Sequence, residues 1–170
     1  MLWDMQNPSI RGVPLEGHTG SVRSMAFSSD GNRLATANNY DRTIMLWDMQ
    51  DLSIPGVPLK GHTGSVRSMA FSSDGNRLAT GHYDGTIMLW DMQDLSIPGV
   101  PLKGHTGSVR SMAFSSDGNR LATANYDGTI MLWYSQAPTI PGVPLHRRLL
   151  SMTRVSRCCD GSSCHRTSSQ

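Results

Sequence analysis

The stretch SVRSMAFSSDGNRLAT, Ser65 to Thr80, holds two short runs of strand-forming residues around a Ser-Ser-Asp-Gly-Asn turn. Ser65–Phe71 reads as a first strand and Arg77–Thr80 as a second, with the Asp74-Gly75 pair supplying the positive φ that a hairpin needs. Working outward, Tyr83-Asp84-Gly85 is a second tight turn and Thr86–Trp90 (TIMLW) a third strand of bulky residues that suit a pleated sheet. A polar loop, Asp91–Pro98, leads to a short fourth strand, Val100–Lys103. Pro101 within it fits only an outer edge, because proline cannot donate to a ladder on both sides.

This unit is repeated. Trp3, Trp47, Trp90 and Trp133 are 44, 43 and 43 residues apart, and Gly17-His18, Gly61-His62 and Gly104-His105 keep the same register. Residues 57–99 and 100–142 agree at 36 of 43 positions, and the first unit carries one extra residue at Asn38-Asn39. Four short antiparallel strands per unit, opening near Gly-His and closing on Trp, resemble the WD-repeat family of β-propellers over residues 1 to about 146. The resemblance implies an all-β fold, a partial β-propeller of about three four-stranded antiparallel blades. The expected division is a leading half blade at 1–16, blades at about 17–60, 61–103 and 104–146, and a disordered Arg/Ser/Cys-rich tail at 147–170. A blade of this size cannot bury its own faces and needs a neighbour on each side.

Each unit also sets a His, a Thr, an Asp and a Trp at fixed offsets: His18, Thr36, Asp41 and Trp47; His62, Thr80, Asp84 and Trp90; His105, Thr123, Asp127 and Trp133. In the family that the chain resembles, the matching residues form a buried hydrogen-bond network within a blade. The expected order runs from Asp carboxylate to imidazole, from imidazole to Thr hydroxyl, and from that hydroxyl to the indole N–H, with a buried Asp84 as the costliest loss. The leading half blade keeps only Trp3. Imidazole, hydroxyl and carboxylate also invite a nucleophilic-triad reading. The set recurs three times without a Gly-x-Ser-x-Gly elbow, so a propeller-fold enzyme is the weaker alternative and no catalytic residue is assigned.

Where the units differ, a partner is expected. The turn ahead of the network Asp varies, and it contributes Tyr40, Tyr83 and Tyr126 together with His82 and Asn125. In WD-repeat propellers the residue before that Asp lies on a face where peptides dock, and three tyrosines near one channel mouth would suit a peptide or loop. Arg23, Arg67 and Arg110, beside Ser21, Ser65 and Ser108, add donors for acidic or backbone groups. The alternative is that the tyrosines pack sideways on the next blade while the arginines face solvent.

Charge and composition narrow the classes further. Residues 1–146 hold 10 Lys/Arg against 12 Asp/Glu, and residues 147–170 hold five arginines against one aspartate, so the repeats lack the basic stripe of a specific nucleic-acid binder. No phosphate loop and no run of 18 apolar residues occur, which argues against cofactor-phosphate binding and membrane spanning. All three cysteines lie in the tail and the N-terminus has no secretory pattern, which makes the cytoplasm the expected compartment and cofactors unexpected. Cys158, Cys159, Cys164 and His165 are soft ligands within eight residues, but adjacent cysteines in a Ser/Arg-rich segment read as free thiols rather than a metal site.

The unit pattern is incomplete at both ends. MLWDMQ at 1–6 equals Met45–Gln50, and repeat identity stops at Leu145, where His146-Arg147-Arg148-Leu149-Leu150 follows. Three and a half blades leave open edges. The expectations are a protein-binding scaffold, self-association through those edges, or a truncated piece of a larger WD-repeat regulatory protein without independent function.

Overall fold

The computed structural model describes residues 2, 12–40, 42–62, 64–136 and 141–145. Every regular element among them is a strand, and the twelve strands form three four-stranded antiparallel sheets. The first blade is β1 (Val22–Phe27), β2 (Arg33–Asn38), β3 (Ile44–Asp48) and β4 (Val57–Leu59). The second is β5 (Val66–Phe71), β6 (Arg77–His82), β7 (Ile87–Asp91) and β8 (Val100–Leu102). The third is β9 (Val109–Phe114), β10 (Arg120–Asn125), β11 (Ile130–Tyr134) and β12 (Val143–Pro144). Within each sheet the strands lie in sequence order, so the three blades have the topology expected of a propeller.

The hairpin turns are built as their residues demand. Ser28, Ser72 and Ser115 each donate to the carboxylate two residues on, at 2.6, 2.5 and 2.5 Å, and the glycine that follows the Asp adopts φ +72°, +70° and +69°. A side chain rarely tolerates that left-handed region, which explains Gly31, Gly75 and Gly118. Pro58, Pro101 and Pro144 sit on the outer strands β4, β8 and β12, where no further ladder asks for an N–H.

The core lies between blades. Ala35, Ala37, Ile44, Leu46 and Leu59 of the first blade pack on Val66, Met69, Leu78, Met88, Trp90 and Met92 of the second. The same set recurs one unit on, where Ala79, Ile87, Leu89 and Leu102 meet Val109, Met112, Leu121, Met131 and Trp133. Polar ties cross the first interface too: Arg33 Nη1 donates to the Met92 carbonyl at 2.9 Å and Ser29 Oγ to the Ser73 carbonyl at 2.6 Å. The leading segment contributes one described pairing, Leu2 with Val13, through two backbone bonds of 2.7 and 2.8 Å. It matches the Leu46–Val57 pair of the first blade. Trp3 and residues 146–170, including the three cysteines, lie outside the described residues.

The second strand of each unit is longer than expected. β6 runs through Gly81-His82 and β10 through Ala124-Asn125, because Val66 and Val109 pair with His82 and Asn125 after a bulge. The sites of close approach are glycine for a steric reason. A Cβ on Gly99 would lie 2.8 Å from the Trp90 ring, and Gly142 stands the same distance from Trp133. Gly99→Ala is expected to lower stability by about 1–3 kcal/mol, read as a shifted urea midpoint, since the buried indole has no room to retreat. An unchanged midpoint would contradict this packing.

Candidate functional site

The polar network of each blade grows from its second strand. Thr36, Thr80 and Thr123 are buried there, and each hydroxyl accepts the indole N–H of its own blade's tryptophan, at 2.7 Å from Trp47, 3.1 Å from Trp90 and 2.8 Å from Trp133. In the first and third blades the hydroxyl also meets a ring nitrogen, Nε2 of His18 at 2.6 Å and of His105 at 2.7 Å. The other ring nitrogen faces Thr43 and Thr129, at 3.4 Å in each case. A buried indole and a buried hydroxyl thereby satisfy one another, which removes a desolvation penalty of about 1–3 kcal/mol per group.

The aspartates take a different place from the one expected. Asp84 and Asp127 are exposed, and their carboxylates accept the backbone N–H of Thr86 at 2.9 Å and of Thr129 at 2.8 Å. These bonds close an Asx-type turn. Hydrogen bonds from Thr129 hold the Asp127 carboxyl below the usual carboxylate range. Burial holds the His105 imidazole below its ordinary value, and the charge of Asp127 partly opposes it. Asp41 lies outside the described residues.

The middle blade exchanges its histidine. Thr80 Oγ1 meets Nε2 of His82 at 3.2 Å, and both ring nitrogens of His62 lack a hydrogen-bond partner among the described residues. His62 instead stacks on His82, with centroids 5.4 Å apart and planes at 28°, and tilts onto Trp90 at 4.5 Å. Burial, and then the neighbouring His82, push the His62 pKa down to about 4. His82 is 0% exposed, and Asn125 at the same position of the third blade is 6% exposed. His82 is enclosed, whereas Asn125 borders the groove between the second and third blades. The longer β6 and β10 carry both positions into the sheet, where Asn125 Oδ1 accepts the Tyr126 N–H at 2.6 Å. The Gly81-His82 departure from Ala-Asn was the sequence signal for this exchange.

The tyrosines and arginines do reach the surface. Tyr40, Tyr83 and Tyr126 are all strongly exposed. The Arg67 guanidinium lies 4.9 Å over the Tyr83 ring and that of Arg110 4.8 Å over Tyr126, so each cation holds a ring in place. The first blade is out of step. There Asn39 donates its backbone N–H to the Ser21 carbonyl, as Tyr83 does to Ser65 and Tyr126 to Ser108. Tyr40 is thus moved one residue along the turn, and Arg42 follows with φ 58° where Gly85 and Gly128 stand at 89° and 86°. Arg23 is exposed on β1.

Between the second and third blades lies a groove of about 580 Å³, walled by Tyr83, Tyr126, Arg110, Asp127 and the Thr106–Ser108 loop. Ser108 is 8% exposed on its border, and its buried Oγ has no hydrogen-bond partner among the described residues. The groove therefore offers aromatic faces, a guanidinium, the Asn125 amide and one carboxylate. No group of three or more His, Cys, Asp or Glu side chains suited to a metal ion occurs among the described residues. A family model described as WD domain, G-beta repeat matches residues 10–48, 55–91 and 98–134, about two thirds of the chain. A search of the curated proteins finds no match.

Two stability measurements probe the network. Thr123→Val removes the hydroxyl shared by Trp133 and His105 and is expected to cost about 1–3 kcal/mol in urea unfolding, while Asp127→Ala at the surface costs less. The reverse order would contradict the assignment. His62 stays neutral when folded but takes up a proton when unfolded, so its contribution is full above about pH 6.5 and is lost as pH falls toward about 4. His82→Asn, which copies the third blade, is expected to give His62 access to Thr80 and to weaken that acid sensitivity, seen in urea midpoints across the window.

Proposed function

The chain belongs to the WD-repeat family, and from that premise we propose that it is a non-catalytic scaffold that binds a peptide or a protein segment on one propeller face. WD repeats generally serve as protein-interaction scaffolds, and the groove between Tyr83 and Tyr126 is the observation that carries the reading for this chain. A tyrosine fixed under a guanidinium loses little further freedom on binding, which is what an aromatic anchor requires. Arg110, exposed on the wall of the groove, supplies donors for a backbone carbonyl or an acidic side chain of the partner. Every His–Thr–Trp constellation recurs from blade to blade as part of the packing, which favours binding over chemistry. The lack of cysteine within residues 1–146 favours a reducing compartment, and the cytoplasm is the location proposed.

Panning a random peptide library on the purified chain tests the reading. The wild type is expected to enrich a family of related peptides, and the Tyr83→Ala/Tyr126→Ala protein is expected to lose them, at least tenfold weaker in binding, while its thermal transition stays in place. Selection of the same peptides by both proteins, or of none by either, would overturn it.

A further inference from the structure

The grooves at the other end of the strands have a different chemistry. In each blade the turn between the first two strands and the loop between the last two lie at one end, opposite the turns that bear the tyrosines. A groove of about 370 Å³ runs there between the first and second blades, over Leu46, Trp47, Val57, Met92 and Leu95. The next interface repeats it at about 190 Å³, with Leu89, Trp90 and Val100 in place of Leu46, Trp47 and Val57, and with Ile97 on its wall. Both indoles are buried in the floor, whereas Val57, Leu95, Ile97 and Val100 are 49%, 41%, 51% and 39% exposed. Aliphatic side chains left open beside a groove in two successive units mark a contact surface.

Charge decides what fits them. The hairpin turns place Asp30, Asp74 and Asp117 at this end, and the loops add Asp48, Asp51, Asp91 and Asp94, all of them exposed. Three cations accompany these seven carboxylates among the described residues, and each is engaged: Arg33 donates to the Met92 carbonyl at 2.9 Å, Arg77 to the Gln136 side chain at 3.5 Å, and Arg120 lies 4.0 Å from Asp117. Hydrogen bonds, first of all from the Ser28 and Ser53 hydroxyls, hold the Asp30 and Asp51 carboxyls below the usual range, so both are ionised at neutral pH. The opposite end has the reverse balance, six Lys or Arg against Glu16, Asp84 and Asp127 among the described residues.

We propose that these grooves seat a basic, aliphatic segment of another protein, in which Lys or Arg alternates with Leu, Ile or Val. The aliphatic side chains enter the grooves, and the cations meet Asp30, Asp48 and Asp91 on the walls. Nucleic acid or an anionic lipid surface would meet these carboxylates with like charge, and a second copy would bring the same acidic face. The chain's own Arg-rich residues follow Leu145, whose N–H donates to the Ile130 carbonyl at 2.9 Å, at the opposite end of the strands. The position of the grooves makes this surface distinct from the one between Tyr83 and Tyr126.

Fluorescence anisotropy with a labelled peptide of alternating Lys and Leu, titrated with the full chain, tests the proposal. The wild type is expected to bind it. Asp48→Asn/Asp91→Asn keeps an oxygen to accept the Gln50 and Gln93 N–H groups, yet is expected to weaken binding about tenfold. Leu95→Ser/Ile97→Ser, at exposed positions, is expected to weaken it about as much, with the urea midpoint in place. Tyr83→Ala/Tyr126→Ala is expected to leave it unchanged, so each binding surface can fail without the other. Absence of binding, equal binding of a Lys/Ser peptide, or binding that survives either groove variant would overturn the proposal. A dimer in light scattering that Leu95→Ser/Ile97→Ser dissolves would also overturn it and give the face to a second copy. Binding seen only in the full chain carrying Arg147→Gln, Arg148→Gln, Arg154→Gln and Arg157→Gln would overturn it in favour of the chain's own residues.

Discussion

A blade here cannot stand without the next one, and that constraint organises the molecule. The buried apolar residues do not form a core inside any single sheet. They belong to one face of one sheet and the opposite face of its neighbour, as Ile44 and Leu46 on Val66 and Met69 show. Full burial of each such side chain contributes roughly 1.5–3 kcal/mol, and nearly all of it depends on the adjacent unit. Because the contacts are nearest-neighbour, the same interface residues recur in each copy. Small residues are part of the same demand. Gly81 has Val109 and Met112 closer than any Cβ would permit, so the second and third blades approach each other there more tightly than a side chain allows.

The threonine–tryptophan tie is the polar counterpart of that packing. A buried indole N–H needs an acceptor, and the Thr hydroxyl on the adjacent strand supplies it in all three blades. The imidazole is the adaptable member. His18 and His105 approach the hydroxyl from the loop before the first strand, whereas in the middle blade His82 reaches it from within the strand. The displaced His62 must then be stored, and it is stored between two aromatic rings with its nitrogens unpaired. One substitution has therefore moved a titratable group from a satisfied site to an unsatisfied one without disturbing the sheet.

Much of this architecture was legible in the sequence because it is local or periodic. The Ser-Ser-Asp-Gly turns, the outer-strand prolines and the strand order all follow from residue types at fixed spacing, and the structure places them accordingly. The Thr–Trp tie, inferred from resemblance, also stands in every blade. What could not be read was decided by hydrogen-bond register. The pairing of Val66 with His82 extends β6 past Thr80, and this alone turns an expected surface histidine inward. The two network aspartates were expected inside for the same reason: spacing reveals which residues are near a turn but not which side of it their carboxylates occupy. Asp84 and Asp127 spend their oxygens on the turn's own N–H groups.

Those register effects also explain why the candidate binding surface is not three-fold repeated. A surface built only from the common unit would present three equal Arg–Tyr pairs around the ring. The extra residue of the first unit breaks that equality, since Asn39 takes the backbone bond to the first-strand carbonyl and Tyr40 is carried beyond it. The stacked pairs Arg67–Tyr83 and Arg110–Tyr126 remain, and the described groove opens between the blades that bear them. Packing forces the interior residues of the units to stay alike, so only positions outside the interfaces are free to differ. A turn that tolerates an insertion is such a position. Asymmetry on a repeated frame is what lets one groove differ from the others, and in this chain it arises at the turn that carries the tyrosines.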